Sequence, residues 1–525
     1  MLNFFKAAVE NVYRHGDTDI FPFPIENRIM HDSIDEFSGL ALEYFEKFDE
    51  EFQNSTPSDI RSIVPIHHSG FRWATQLDPI WNVIFLAGVL SIAQKIERAR
   101  LSSDVVFSYR LDEEEFLKGT IFRKDVSWSS FCEATALLAD EHDFVVTCDI
   151  ADCYSRIGHH KLDNALRLID APAAVRKMIL EYIKLLTGTR SSGLPIGGPA
   201  ARILAELSLN NVDQYMYAAG IKFVRYADDY HFFCSSRKVA YEVLVKLHGA
   251  LDNEGLTLQK SKTRILSKFE FRAVNSVISR SEHVPDTPAQ RLMSLSLRFD
   301  PYATDAEAQY ELLKGELGKI DITALLNEQL SQTRIHIPTT RKIIEALRLL
   351  RSAAQFGAVL SMLDNMDSLY PIAASVFQTV FVLMDEFDDA QREQICDGLT
   401  ALYEAGHEVM SIPSHVAFSN RVISKHKSVK NQYYLTKVFE EQSDVLVRRD
   451  IIMIFSNWMN FPWLSMYRAK FSSASPWERR AFIMASYSMA DEGRHWRDHA
   501  RGRFDKFETL VRDWRAKRPQ EALPL

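Results

Sequence analysis

Phe223-Val-Arg-Tyr-Ala-Asp-Asp-Tyr-His-Phe-Phe233 sets two adjacent carboxylates, Asp228 and Asp229, between two short apolar runs. Both flanks are short and rich in β-branched and aromatic side chains, so the stretch reads as a hairpin with the acids at its turn. Neighbouring carboxylates repel each other, and a tight turn is a poor place to keep them without a counter-ion. A divalent metal with a preference for oxygen is the natural partner, and magnesium is the first choice.

A third acid has a similar setting upstream. Residues 144–150, Phe-Val-Val-Thr-Cys-Asp-Ile, form a short run rich in β-branched residues that reads as a strand delivering Asp149. One carboxylate on a strand and another on a neighbouring hairpin is the arrangement in which both face the same pair of ions, about 4 Å apart, as a two-metal transfer to a phosphate requires. Asp149 and Asp228 would supply that pair, with Asp229 as an auxiliary ligand.

The chain has 525 residues, more than one core usually supports, and 46% hydrophobic content to bury. Its formal charge of −8 argues against a general electrostatic grip on nucleic acid, so any basic groove must be local. The cysteines Cys132, Cys148, Cys153, Cys234 and Cys396 include no Cys-x-x-Cys pair and sit in apolar contexts that suit buried thiols in a reducing cytoplasm. The N-terminus shows no signal-peptide pattern. The longest apolar stretch, residues 80–93, carries Asn82 and Ser91 and is expected to be too short to cross a bilayer.

Residues 1–60 read as an N-terminal extension of acidic helical pieces and a proline-marked extended run at 21–24. A helix is expected over 79–100, capped by Asp78 with Pro79 at its first position, followed by a strand at Val105-Val-Phe-Ser-Tyr-Arg110. Residues 162–186 read as helix broken near Pro172; the turn Gly193-Leu-Pro-Ile-Gly-Gly198 leads into a helix from 199 to about 219, and 237–254 returns to helical spacing. Strand, helices, hairpin and helix in this order make an α+β domain. From about residue 300 amphipathic helices follow one another, at 339–355, 356–369, 372–386 and 389–404, without a clean repeat period. The last segment alternates Arg494, Trp496, Arg497, Arg501, Arg503, Trp514 and Arg515, which reads as an ordinary terminal helix or as a nucleic-acid contact.

Several of these stretches together resemble the reverse transcriptase family. Asp149-Ile-Ala-Asp-Cys-Tyr154 is similar to its first palm motif, Tyr226-Ala-Asp-Asp229 to its Tyr-x-Asp-Asp signature, 193–198 to its Leu-Pro-x-Gly turn, and Gly255-Leu-Thr-Leu-Gln-Lys-Ser-Lys262-Thr263 to its later lysine-bearing motif. The resemblance implies an α+β right-hand-like polymerase, with fingers and palm over 61–290, followed by an all-α helical-repeat-like domain over 300–525. It implies Mg2+ as cofactor, as two ions that Mn2+ could replace, held by Asp149, Asp228, Asp229 and Ile150. For the deoxynucleoside triphosphate it implies Arg110, Tyr154, Pro195, Gly197 and Lys262, with Arg72 and Arg123 as weaker candidates. Tyr154 would exclude a ribose 2′-hydroxyl, Arg110 would clamp the triphosphate and Lys262 would act on the pyrophosphate leaving group. Asp152 reads as a supporting acid or a solvated one.

Ile196 stands where many templated members of the family carry glutamine. Together with the N-terminal extension, Asp78-Pro-Ile-Trp-Asn82 and the helical C-terminal half, it resembles the AbiK-like abortive-infection group of phage-defence reverse transcriptases. That likeness implies template-independent, protein-primed DNA synthesis, a product covalently attached to the protein, and a homo-oligomer. Tyr13 and Tyr44 are the N-terminal extension's candidates for priming. An RNA-templated reverse transcriptase and a non-catalytic palm that recruits a partner through the helical half remain the alternatives.

Overall fold

The computed structural model describes residues 1–16, 20–68, 70–278, 287–295, 297, 306–332 and 334–525. Its centre is a four-stranded antiparallel sheet in the order β4-β5-β3-β6, with β3 at Phe144–Asp149, β4 at Phe223–Tyr226, β5 at Asp229–Cys234 and β6 at Arg264–Ser267. Each strand is short because a turn or helix cap follows at once. The expected hairpin is therefore present, and its register pairs Tyr226 with Asp229 and then Asp229 with Asp149 on the central strand. A second sheet is the hairpin β1, Ile60–His67, with β2, Gly70–Gln76. Alternating burial along Ile60-Arg-Ser-Ile-Val is the period-2 signal that marks β1 and that Pro65 obscures.

The Pro79–Ala99 helix is the pillar of the domain. Asp78 caps it, accepting from the Ile80 amide, and Pro79 fills the first position as the sequence indicates. Its side chains are buried almost all round, because the helices Leu2–His15, Ile34–Glu46, Ala173–Thr187 and Pro199–Ala218 pack against different faces of it. At 21 residues this helix is long and apolar enough to cross a membrane, yet 83% of its apolar stretch is buried inside the protein, as in a core helix.

The N-terminal segment packs against this pillar. Trp81 is 2% exposed, its indole donates to the Ser55 carbonyl at 2.9 Å, and the rings of Tyr44, Phe48 and Phe52 lie against it. Asn11 donates to the Gly119 carbonyl at 2.8 Å. Residues 1–60 thus share one core with the domain they precede, and removing the Trp81 ring would cost about 3–5 kcal/mol.

The expected strand over 105–110 is corrected. Only single-residue pairing forms, between Val106 and Arg225, with the Phe107 amide donating to the Arg225 carbonyl and the Arg225 amide to the Val105 carbonyl. Tyr109 turns the chain with a φ of 47°, which no strand accommodates.

All described residues from 306 onward that form regular structure are helical. The helices Ile337–Leu350, Ala373–Leu383, Pro413–Ile423, Val445–Asn457, Pro476–Ala485 and Lys506–Ala516 each pack on the next, making one continuous row, with Asp389–Glu404 against Pro413–Ile423 and Val429–Glu441 against Val445–Asn457. The C-terminal half is thus an all-helical region in which successive helices stack side by side. The row closes back on the N-terminal half: Arg480 pairs with Glu26 at 2.6 Å and Asp78 at 3.4 Å, and Arg421 reaches the Phe23 carbonyl at 3.0 Å. Within the terminal segment Trp514 is buried, Trp496 packs on Phe471 and Phe482, and Arg497 lies over Tyr487. The aromatic members of that alternation pack inward, while Arg494, Arg501 and Arg503 are exposed.

Candidate active site

Asp149 ends β3, Asp228 lies in the turn between β4 and β5, and Asp229 opens β5. The antiparallel register brings one oxygen from each of the three carboxylates within 4.8 Å of the others. Backbone bonds fix the arrangement: the Ile150 amide donates to the Asp228 carbonyl at 3.1 Å, and the Gln259 amide to the Asp149 carbonyl at 2.7 Å. Burial, together with the charge of Asp149, raises the Asp228 carboxyl above its ordinary range. Burial and then the charges of Asp228 and Asp149 push Asp229 up to about 7. Three crowded, partly desolvated carboxylates are what a divalent cation relieves, so the donor set fits magnesium or manganese. Ile150 has no side-chain donor and is 1% exposed, so it could offer a metal only its carbonyl oxygen.

Lys262 joins the same cluster. Its segment returns beside β3 through the Ala151 amide bonded to the Thr257 carbonyl at 2.8 Å, and its ammonium donates to Asp149 Oδ1 at 2.9 Å. Partial burial works against the ammonium, but the bond to Asp149 outweighs it and raises its pKa.

Tyr154 follows Asp152, which caps a short helix from the left-handed conformation with φ 50° and is exposed. The Tyr154 carbonyl accepts from the Leu194 amide at 2.8 Å, and the Ile157 carbonyl from the Gly193 amide at 2.9 Å. These bonds clamp the 193–198 turn, with buried Pro195 and half-buried Gly197, onto the tyrosine. Gly193 and Gly197 have φ values of 119° and 124°, which only glycine adopts without strain. The Tyr154 hydroxyl is shared with Tyr109, whose ring carries the Arg202 guanidinium at 5.1 Å. Tyr226 and Trp128 extend this aromatic wall along the acid turn.

Arg110 departs from its expected role. It is 2% exposed and all its nitrogens are engaged: Nε with the Val106 carbonyl at 2.7 Å, Nη1 with Glu97 at 2.8 Å and Nη2 with the Leu101 carbonyl. A guanidinium spent on its own neighbourhood pins the 100–111 segment and has no fork left for a triphosphate. Arg123 pairs with Asp125, and Arg72 stands exposed on β2. Tyr44 is 1% exposed, with its hydroxyl bonded to Ser55 and its pKa pushed up to about 12 by burial, so the priming role expected of it does not fit its position. Tyr13 is half-buried against His31. Cys132 is exposed, contrary to expectation, and the other cysteines are buried and free.

Beneath the acid turn lies a charged network that the motif reading did not reveal. Arg225 is fully buried; it donates to Asp213 at 2.6 and 2.9 Å and to Glu206 at 2.9 and 3.2 Å. Glu206 also accepts from Arg100 at 2.6 Å and Ser108 at 2.5 Å, and Arg100 pairs onward to Glu97, the partner of Arg110. Burial works against the charge of Arg225, but Asp213 and Glu206 outweigh it and hold its pKa well above the usual arginine range. The available signal was a lone arginine inside an apolar strand, which must find acids on the helix that covers it.

A second acid-rich group, Asp367, His407 and Glu408, does not suit a metal. His407 Nδ1 accepts from the Val409 amide at 3.2 Å, so its proton sits on Nε2, which donates to Asp367 at 2.9 Å.

Residues 93–290 match the family described as reverse transcriptase (RNA-dependent DNA polymerase). Among solved structures, telomerase from Candida albicans in complex with a TWJ fragment of telomeric RNA is similar at 11% identity, covering 70% of this chain and 69% of that one with a TM-score of 0.28. Apo telomerase from Candida tropicalis is similar at 12% identity, covering 75% and 66% with a TM-score of 0.32. A comparison with curated proteins gives no match. Residues 93–290 are therefore a reverse transcriptase-type polymerase domain, which indicates a nucleotidyltransferase resembling RNA-directed DNA polymerases.

Proposed function

We propose that the protein is a magnesium-dependent DNA polymerase that extends its product from deoxynucleoside triphosphates without a template and from a primer hydroxyl of the protein itself. The observation that carries the polymerase reading is the convergence of Asp149, Asp228 and Asp229 within 4.8 Å. A bound pair of divalent ions would supply an activated hydroxyl nucleophile and charge stabilisation for the departing pyrophosphate. The three carboxylates would hold that charge, and Lys262, tethered to Asp149, would meet the pyrophosphate oxygens. Tyr154, fixed from behind by the 193–198 turn, would lie against the sugar and leave no room for a 2′-hydroxyl.

Ile196 supports the template-independent part, because its side chain offers no polar contact for positioning a template base. Of the two N-terminal tyrosines, only Tyr13 keeps part of its side chain exposed. Residence in a reducing cytoplasm agrees with five free cysteines. Assembly as a homo-oligomer and a role in abortive infection complete the reading by likeness to the AbiK-like group.

Templated copying is the second reading, and one surface favours it. On the β1–β2 hairpin Trp73 is 55% exposed with the Arg61 guanidinium over its ring at 5.0 Å, and the charge of Arg190 lies close enough to act on Arg61. Aromatic and guanidinium groups together suit a single strand.

Incubating the protein with each labelled deoxynucleotide and Mg2+, with and without added RNA, and resolving products on a denaturing protein gel decides between them. Label that migrates with the polypeptide without RNA supports the proposal. Free product that appears only with RNA supports templated copying, and no incorporation refutes both.

A further inference from the structure

Ala227, between Tyr226 and Asp228, has a φ of 53°. A residue with a Cβ is strained there, and the strain falls on the residue whose ψ sets the direction in which Asp228 leaves the turn. Arg225 Nη1 donates to the Ala227 carbonyl oxygen at 2.9 Å. That nitrogen belongs to a guanidinium held on two further sides by Asp213 and Glu206, both on the Pro199–Ala218 helix. Tyr230, just past the turn on β5, donates to the same Asp213 at 2.8 Å, so both strands that enter and leave the turn are tied to one carboxylate.

We infer that Arg225 is a positioning residue for the acid turn: its bond to the Ala227 carbonyl holds the left-handed conformation that presents Asp228 and Asp229 to a shared cation. The inference rests on reading those acids as metal-binding. A fully buried ion pair is poor evidence for stability in itself, since apolar packing often serves as well. What apolar packing cannot supply is a donor aimed at one strained carbonyl while two acids fix the donor's angle. Lysine keeps the charge but has no fork with which to bond Ala227, Asp213 and Glu206 at once.

The test uses the full chain and Mn2+ titration followed by electron paramagnetic resonance, with Asp228→Asn identifying the signal of the acid cluster. Arg225→Lys is expected to weaken Mn2+ binding about tenfold, as loss of a group that orients a ligand typically does. Ala227→Gly added to Arg225→Lys is expected to restore affinity to within about threefold, because glycine adopts the positive φ without help. Ala227→Val leaves the arginine and its acids untouched, strains the turn directly, and is expected to weaken Mn2+ in the same way, which keeps the test open if Arg225→Lys fails to fold. Incorporation kinetics should show the matching loss in kcat with KM for the nucleotide unchanged. Folded Arg225→Lys and Ala227→Val proteins that bind Mn2+ like the wild type overturn the inference, as does a double variant no better than Arg225→Lys. A wild-type protein that binds no Mn2+ at the cluster overturns the metal reading and this inference with it.

Discussion

The ammonium of Lys262 donates to Asp149 Oδ1 at 2.9 Å, across 113 residues of chain, which joins the last motif of the domain to the first. The lysine side chain is 63% exposed, so it can leave that contact for another anion without opening the core. Lys262→Met should fold like the wild type and lower kcat for incorporation about tenfold or more, the scale expected for a group that protonates or stabilises a leaving oxygen. Stopped-flow incorporation with unchanged melting temperature checks this, and an unaltered kcat would remove Lys262 from the reaction.

Tyr154 is held from behind by the 193–198 turn, so a smaller side chain leaves a space that the turn cannot fill. Tyr154→Val should raise the ratio of ribonucleotide to deoxynucleotide kcat/KM about ten- to a hundredfold, the range that one steric contact can discriminate. Both substrates losing activity equally would assign the ring to packing alone.

Arg110 is expected to matter for stability rather than for nucleotide affinity. Arg110→Ala removes one of the two arginines paired with Glu97 and leaves the Val106 and Leu101 carbonyls without their donor, which should cost about 1–3 kcal/mol, read as a lower melting temperature. A folded variant with a selective rise in nucleotide KM would return Arg110 to the triphosphate.

Asp59 makes stability depend on pH. Its Oδ1 accepts from the Asp78 amide at 2.7 Å and the Tyr182 hydroxyl at 2.8 Å, while burial raises its pKa to about 7. The unfolded carboxyl titrates lower, so between the unfolded value and about 7 the folded state binds more protons and stability falls as pH rises. Asp59→Asn keeps the acceptor oxygen without the charge. It should melt roughly 1–3 °C above the wild type at pH 8 and show no advantage at pH 4. A constant difference across that range would contradict the assignment.

Much of the polymerase half was legible because its signals are local. Asp78-Pro79 announces a helix start, and Ala-Asp-Asp between two apolar runs announces a turn, so the central helices and the acid hairpin fall within a residue or two of expectation. The misses come from long-range contacts. Val105-Val-Phe-Ser-Tyr-Arg110 has strand composition, but the bonds that anchor its start come from β4 and its end is pinned by Glu97. Arg110 therefore looked like a phosphate ligand until its partners were visible. How residues 1–60 pack was not legible, because nothing in their own sequence shows that Trp81 has Tyr44, Phe48 and Phe52 around it. In the candidate site the acids and Lys262 were recoverable from motif spacing, whereas Asp213 and Glu206 were not, since a buried acid on a helix differs from a solvated one only in what lies across from it.

The most direct measurement is deoxynucleotide incorporation by Asp149→Asn and Asp228→Asn. Each substitution removes one charge from a crowded cluster and preserves shape, so both proteins should melt no lower than the wild type. With their metal ligands lost, both should incorporate no label above background in Mg2+. Incorporation at the wild-type rate by either folded variant would contradict a shared carboxylate centre as the seat of the chemistry.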